Sequence, residues 1–255
     1  LPIHVAKPRK SSRKIEKKTG PWVSLSDHDV FSLLNKESES AVIRWDSRSV
    51  TLHRVDALRA LGRFHGSRIH QAHSLLLKYL ESELAEERVA ALDVLPEVAV
   101  LKSDELFDWL SVLLDDQDVH VRKAASRCLT TTSPIFPSGV HSILANELRS
   151  TVSHRSDAAW AGLSGLCDTW PEVVVDHVDS LLLEEEVALR KKATALLKRI
   201  VNKGDSAVWD LISWSLNDAE VEVRRIAAKN LPALARKESR MATLFAERAL
   251  VDSDS

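Results

Sequence analysis

The chain has 255 residues, 44% hydrophobic and 28% charged, with only 7 Gly and 8 Pro, a composition that excludes a disordered chain. Aromatic residues make up 5% and Tyr occurs once, while Leu, Ala and Val dominate the apolar content, which argues against an all-β protein; no apolar run approaches the length of a bilayer span. The net charge of −2 hides an asymmetry: residues 1–20 hold seven basic side chains and one acid, which leaves 28 basic and 36 acidic residues, a charge of −8, on the remainder.

In chain order, residues 1–20 come first. They carry Lys7, Arg9, Lys10 and four further bases against Glu16, include Pro2 and Pro8, and show no hydrophobic period. This pattern predicts a flexible basic arm: a localisation signal, a phosphate-tracking arm adding nucleic-acid affinity, a linker to a neighbouring domain, or a segment that docks on acidic parts of its own chain. The chain opens on Leu1 and lacks the apolar stretch of a signal peptide, which reads as a trimmed or partial sequence.

From residue 21 onward one pattern recurs. R-x-x-A-x-x-x-L stands at Arg54-Ala57-Leu61, Arg88-Ala91-Leu95, Arg122-Ala125-Leu129, Arg190-Ala193-Leu197 and Arg224-Ala227-Leu231, with a degenerate copy, Ser156-Ala159-Leu163, in the fourth place. The alanines recur every 34 residues, six times, with no insertion. Upstream of each second helix a first helix is marked by two apolar columns four residues apart, such as Leu110 with Leu114 and Ile212 with Leu216. Polar turns, Asp115-Asp-Gln-Asp118 and Asn217-Asp-Ala-Glu220, separate the two helices and supply oxygens to cap the second. The prediction is an all-α right-handed superhelix, a solenoid of about six antiparallel helix pairs near 27–64 (incomplete), 68–101, 103–134, 138–170, 171–204 and 206–238, closed by a capping helix at 239–251. Within it residues 65–120 hold four Lys/Arg against twelve Asp/Glu, and residues 186–240 hold twelve against seven, so the charge is bipolar.

Leu114-Asp-Asp116-Gln-Asp-Val-His-Val121-Arg122-Lys-Ala-Ala125 and Leu216-Asn-Asp218-Ala-Glu-Val-Glu-Val223-Arg224-Arg-Ile-Ala227 resemble HEAT repeats, with an Asp in the turn and Val-Arg opening the second helix. The Trp, Leu-Gly, Tyr and Pro pattern of a tetratricopeptide unit does not recur. The resemblance covers residues 27–250 and implies a fold whose members mostly bind other macromolecules; it implies no particular partner. The Arg column, with Asp116, Glu184 and Asp218 six residues ahead of it, is expected to form a ladder of side-chain hydrogen bonds between successive turns.

Chemistry is sparse. Two cysteines, Cys128 and Cys167, allow neither a disulfide framework nor a thiolate metal site, and favour an intracellular setting, cytoplasmic or nuclear. His70 and His73 lie one helical turn apart but have no third ligand at metal-binding spacing, and His73 shares a column with Phe107, Val175 and Trp209. G-x-S-x-G, a P-loop and G-x-G-x-x-G are absent. The reading is a non-enzymatic scaffold without cofactor or metal, in which second helices line a concave groove that takes a protein or acidic peptide. The alternative is a nucleic-acid-binding HEAT-like protein, including a DNA-alkylation-repair type of glycosylase, which would use residues 1–20 and the basic C-terminal repeats. Trp109, Trp160 and Trp209 fall in apolar columns and are expected in the core, whereas Trp170 and Trp214 fall in polar columns and are expected as exposed anchors. Lys191, Lys192, Lys198, Arg199, Arg225 and Lys229 are expected to attract an anionic partner, because earlier repeats place Val55, Val89, Ala90 and Asp93 at matching positions.

Overall fold

Helices form wherever the Ala and Leu columns repeat, because each column is a stripe that only a neighbouring helix can cover. The structure, a computed structural model, describes residues 20–99, 104–203 and 206–251, so residues 1–19 of the basic arm lie outside the described residues. The described chain falls into two compact units, one closing at Gly162 and the other opening at Leu163.

The first unit begins with a short 3-10 turn, Pro21–Ser24, and helix α1 (Asp27–Leu34). A capping box starts α1: Ser26 Oγ accepts the Asp29 N–H at 3.1 Å, and the Asp29 carboxylate accepts the Ser26 N–H at 3.3 Å. Between α1 and α2 (Arg54–Arg59) lies an antiparallel hairpin of β1 (Ala41–Trp45) and β2 (Arg48–Leu52), in register from Ala41 opposite Leu52 to Trp45 opposite Arg48. The expectation of a chain with no strand fails here, in the stretch where the 34-residue pattern is weakest. Val42, Ile43, Val50 and Thr51 favour extended backbone, and Asp46 and Ser47, both at positive φ, form the two-residue turn that suits the twist of a hairpin. The remaining elements of this unit are helices: α3 (Arg68–Leu80), α4 (Ala85–Val98), α5 (Asp104–Leu113), α6 (Val119–Thr132), α7 (Pro137–Glu147) and α8 (Ser153–Leu166), which runs across the division.

The second unit adds α9 (Pro171–Leu182), α10 (Val187–Ile200), α11 (Ser206–Leu216), α12 (Val221–Ala228), α13 (Leu231–Ala235) and α14 (Ser239–Leu250). Here α9 packs on α10 and α11 on α12, while α10 also packs on α12 and α9 on α11. First helices therefore form one layer and second helices the other. Class is all-α, a helical-repeat solenoid built on the columns read from the sequence: Ala57, Ala91, Ala125, Ala159, Ala193 and Ala227 are all fully buried, as are Leu76, Leu110, Leu144, Val178 and Ile212.

The arginine column ties successive helix pairs together. Arg88 Nε and Nη2 each donate at 2.9 Å to the two carboxylate oxygens of Asp116 in the next pair, while its Nη1 donates to the carbonyls of Ser82 (2.6 Å) and Glu83 (3.0 Å) in its own turn. Arg190 repeats the arrangement with Asp218 at 2.8 and 3.1 Å and the carbonyls of Glu184 and Glu185 at 2.9 and 2.8 Å. Asp116 and Asp218 each also accept a backbone N–H two residues on, from Asp118 and Glu220, at 2.8 Å. The aspartate six residues ahead of an arginine thus offers that arginine its backbone carbonyl, and offers its carboxylate to the arginine of the preceding pair. Where the aspartate is missing the rung changes: Ser82 holds its place, and Arg54 Nη1 turns to Glu87 at 2.9 Å. In the fourth pair Ser156 replaces the arginine and Arg155 takes Glu147, Nε to carboxylate at 2.7 Å.

Burial works to raise the Asp218 carboxyl, but the Arg190 guanidinium and the Glu220 N–H outweigh it and hold that group below the ordinary carboxylate range. A depressed carboxyl stabilises the fold above the unfolded-state value and ceases to do so as pH falls through the folded one. Thermal unfolding at stepped pH should therefore show stability falling below about pH 4, and Asp218→Asn should flatten that limb while lowering stability near neutrality.

Candidate interaction surface

α10 buries Leu189, Ala193, Thr194, Leu196, Leu197 and Ile200. At 3.6 residues per turn that stripe leaves Lys191, Lys192, Lys198 and Arg199 on the opposite side, all exposed except the partly covered Lys191. α12 does the same with Val223 and Ala227 buried, so that Arg225 and the C-cap Lys229 are exposed. Lys198, Arg199 and Lys229 sit at helix C-termini, where the backbone dipole favours positive charge.

Because α10 and α12 pack side by side, the structure brings all six predicted bases onto neighbouring helices. Glu222 is the one carboxylate carried by these two helices; it pairs with Lys191, which lowers its carboxyl from the ordinary range. Arg199 donates to Ser164 Oγ, and Lys203, which the sequence reading passed over, pairs with Asp168. Lys198 and Lys229 make no ion pair among the described residues. The other layer has the reverse sign: α9 and α11 contain no Lys or Arg, and expose Glu172, Asp176, Asp179 and Asp210. The second unit is thus acidic on its first helices and basic on its second.

The tryptophans do not join the basic cluster. Trp214 is 54% exposed, but it projects from the side of α11 opposite the buried Val208, Leu211, Ile212 and Ser215, over a shallow depression with Asp210, Ser213 and Asn217. Trp170 is half-buried at the N-cap of α9, immediately before Pro171. Trp109, Trp160 and Trp209 are half-buried, with the indole nitrogens of the last two shielded from solvent.

Elsewhere, Cys128 and Cys167 are free and buried, and burial pushes their thiols up, Cys128 to about 12, which disfavours a thiolate at neutral pH. His73 is half-buried on α3, and among the described residues no three His, Cys, Asp or Glu side chains gather at metal-binding distance. Among those residues no helix is long and apolar enough to cross a membrane.

Antiparallel helix pairs at a fixed 34-residue period, with a turn aspartate and a Val-Arg helix start in two of them, make this a helical-repeat fold that resembles HEAT repeats. No family model matches the sequence, and no curated protein does. Solved structures are similar in arrangement: the archaeal HEAT-like repeats protein from Thermococcus onnurineus NA1 is 14% identical, with 88% of this chain and 92% of that one covered and a TM-score of 0.45. The Escherichia coli protein YIBA is 18% identical over 89% of this chain and 76% of its own, at a TM-score of 0.41. A designed armadillo repeat protein in complex with peptide (KR)4 is 18% identical over 71% and 92%, at 0.38.

The two classes of tryptophan should separate in urea unfolding. Trp214→Ala should change stability by less than about 0.5 kcal/mol, as exposed sites do. Trp209→Ala removes a half-buried ring and should cost about 3 kcal/mol.

Proposed function

We propose that the chain is a non-enzymatic interaction scaffold that holds an acidic peptide or protein segment along the exposed face of α10 and α12. The observation that carries this reading is the six bases against Glu222, the one carboxylate within α10 and α12, beside a first-helix layer of opposite sign. Repeat surfaces spread contacts over several helices, and a one-sign field steers a charged partner to them. The free, buried cysteines fit a protein of a reducing, intracellular compartment. A nucleic-acid strand presents the same sign of charge and is the second reading, supported by the seven bases of residues 1–20.

Binding of a fluorescent polyglutamate peptide, followed by anisotropy, should weaken steeply as salt rises from about 50 to about 200 mM, because counterion release drives it. Joint charge reversal, Lys191→Glu, Arg225→Glu and Lys229→Glu, should abolish that binding and leave the helical circular dichroism and melting temperature nearly unchanged. Affinity that survives the triple change overturns the proposal. An oligonucleotide that binds through these residues while polyglutamate does not replaces it with the nucleic-acid reading.

A further inference from the structure

In the first unit, aromatic faces are met by this chain's own cations: Arg59 lies over Trp22, Arg63 over Phe64 and Lys78 over Tyr79, with the charge 5.2 to 6.0 Å from the ring centre. In the second unit, carboxylates of the helix-pair turns are met by bases, Asp218 by Arg190 and Glu222 by Lys191. Trp214 and Asp210 lack such partners. Trp214 is 54% exposed with no cation over its ring, and Asp210, one helical turn before it, makes no ion pair or hydrogen bond among the described residues. The base next to them in the repeat register, Arg248 on α14, 34 residues after Trp214, pairs with neither.

Four residues of separation put the indole and the carboxylate on one face of α11, opposite the buried Val208, Leu211, Ile212 and Ser215. With Ser213 and Asn217 they line a shallow depression of about 390 Å³. Asn217 Nδ2 donates to the Ser213 carbonyl at 2.7 Å, which ties the amide down and leaves its oxygen as an acceptor. The depression lies over the last turns of α11, where the helix end carries partial negative charge. Beside α11 packs α9, which exposes Asp179, 34 residues before Ser213 and without an ion pair among the described residues. An aromatic face, a carboxylate one turn away, an amide oxygen and a helix C-terminus all favour the same ligand. It is a cation that lays its flat or aliphatic surface on the indole while its charge meets the carboxylate.

We propose that the exposed face of α11 and α9 is a docking site for an extended, arginine- and lysine-rich segment of a partner protein. One basic side chain enters the depression between Asp210 and Trp214, and a second meets Asp179 on the neighbouring helix. Two acidic positions on adjoining helices favour a peptide over a single small cation. Packed helices lie about 10 Å apart, the reach of about three extended residues, so bases three apart on one strand span both. The site uses none of the bases of α10 and α12 and takes a partner of the opposite charge, so it stands or falls separately from the acidic-partner reading.

The probe is a fluorescein-labelled octa-arginine peptide, titrated with the whole chain and followed by anisotropy; its octa-citrulline counterpart, of the same shape without charge, should not bind. Trp214→Leu and Asp210→Asn, both at exposed positions, should leave the circular dichroism unchanged and each weaken binding about fivefold, while Trp214→Phe, which keeps an aromatic face, should retain most of the affinity. Glu83→Gln, which removes one exposed carboxylate from the first unit, is the control and should have no effect. Loss of affinity in Glu83→Gln equal to that in Asp210→Asn overturns the proposal, since the peptide then follows overall charge. Undiminished binding to Trp214→Leu overturns it as well, because the indole then plays no part. So does a clear gain in affinity when Lys7, Arg9 and Lys10 are replaced by Gln, since the chain's own basic segment then competes for the site.

Discussion

A guanidinium enclosed between two helix pairs has five N–H groups to satisfy, and the way Arg88 and Arg190 satisfy theirs governs the rest of the structure. Nη1 takes two carbonyls of its own turn, while Nε and Nη2 grip both oxygens of an aspartate 28 residues further on. Both members of each rung are largely covered, with side-chain exposures of 14% and 9% for Arg88 and Asp116 and 13% and 7% for Arg190 and Asp218. Unpairing either would strand a buried charge, so the rung demands its partner in place. That demand fixes the spacing between the two pairs each rung joins, since one added residue in the intervening first helix or its loops would carry Asp116 or Asp218 out of reach.

The rungs face inward, and this frees the outer sides of the second helices to vary. The column that holds Lys191 and Arg225 in the second unit holds Val55, Val89, Lys123 and Asp157 in the first. Such changes cost the fold little, because an exposed pair such as Lys191 with Glu222 adds little to stability. Under the proposed function, architecture and recognition are carried by different columns of one helix: Arg190 and Ala193 hold the stack, while Lys191, Lys192 and Lys198 are the charges that an acidic partner would meet.

Much of this was legible because the repeat is its own alignment. Six alanines in register predicted six fully buried positions, and Asp118 in the turn predicted a cap, seen as its carboxylate accepting the N–H groups of His120 and Val121 at 2.7 and 3.3 Å. The hairpin was missed because it fills the turn of one helix pair, where a periodic reading has no second copy for comparison, although Val42, Ile43, Val50 and Thr51 were there to signal it. The ladder was expected between successive turns, and Arg88 and Arg190 form it, each taking its aspartate from the next pair. Trp214, expected as an exposed anchor, and the lysines, expected to meet an anion, lie apart because α11 and α10 belong to different layers.

The most direct test is a double-mutant cycle on Arg190→Met and Asp218→Asn, read by urea unfolding, beside a control cycle on Lys191→Met and Glu222→Gln. A ladder that holds the repeats together predicts a coupling energy of about 2 kcal/mol or more for the first cycle and below about 0.5 kcal/mol for the second. Equal and small couplings in both would contradict it, and would leave the apolar columns alone to hold the stack.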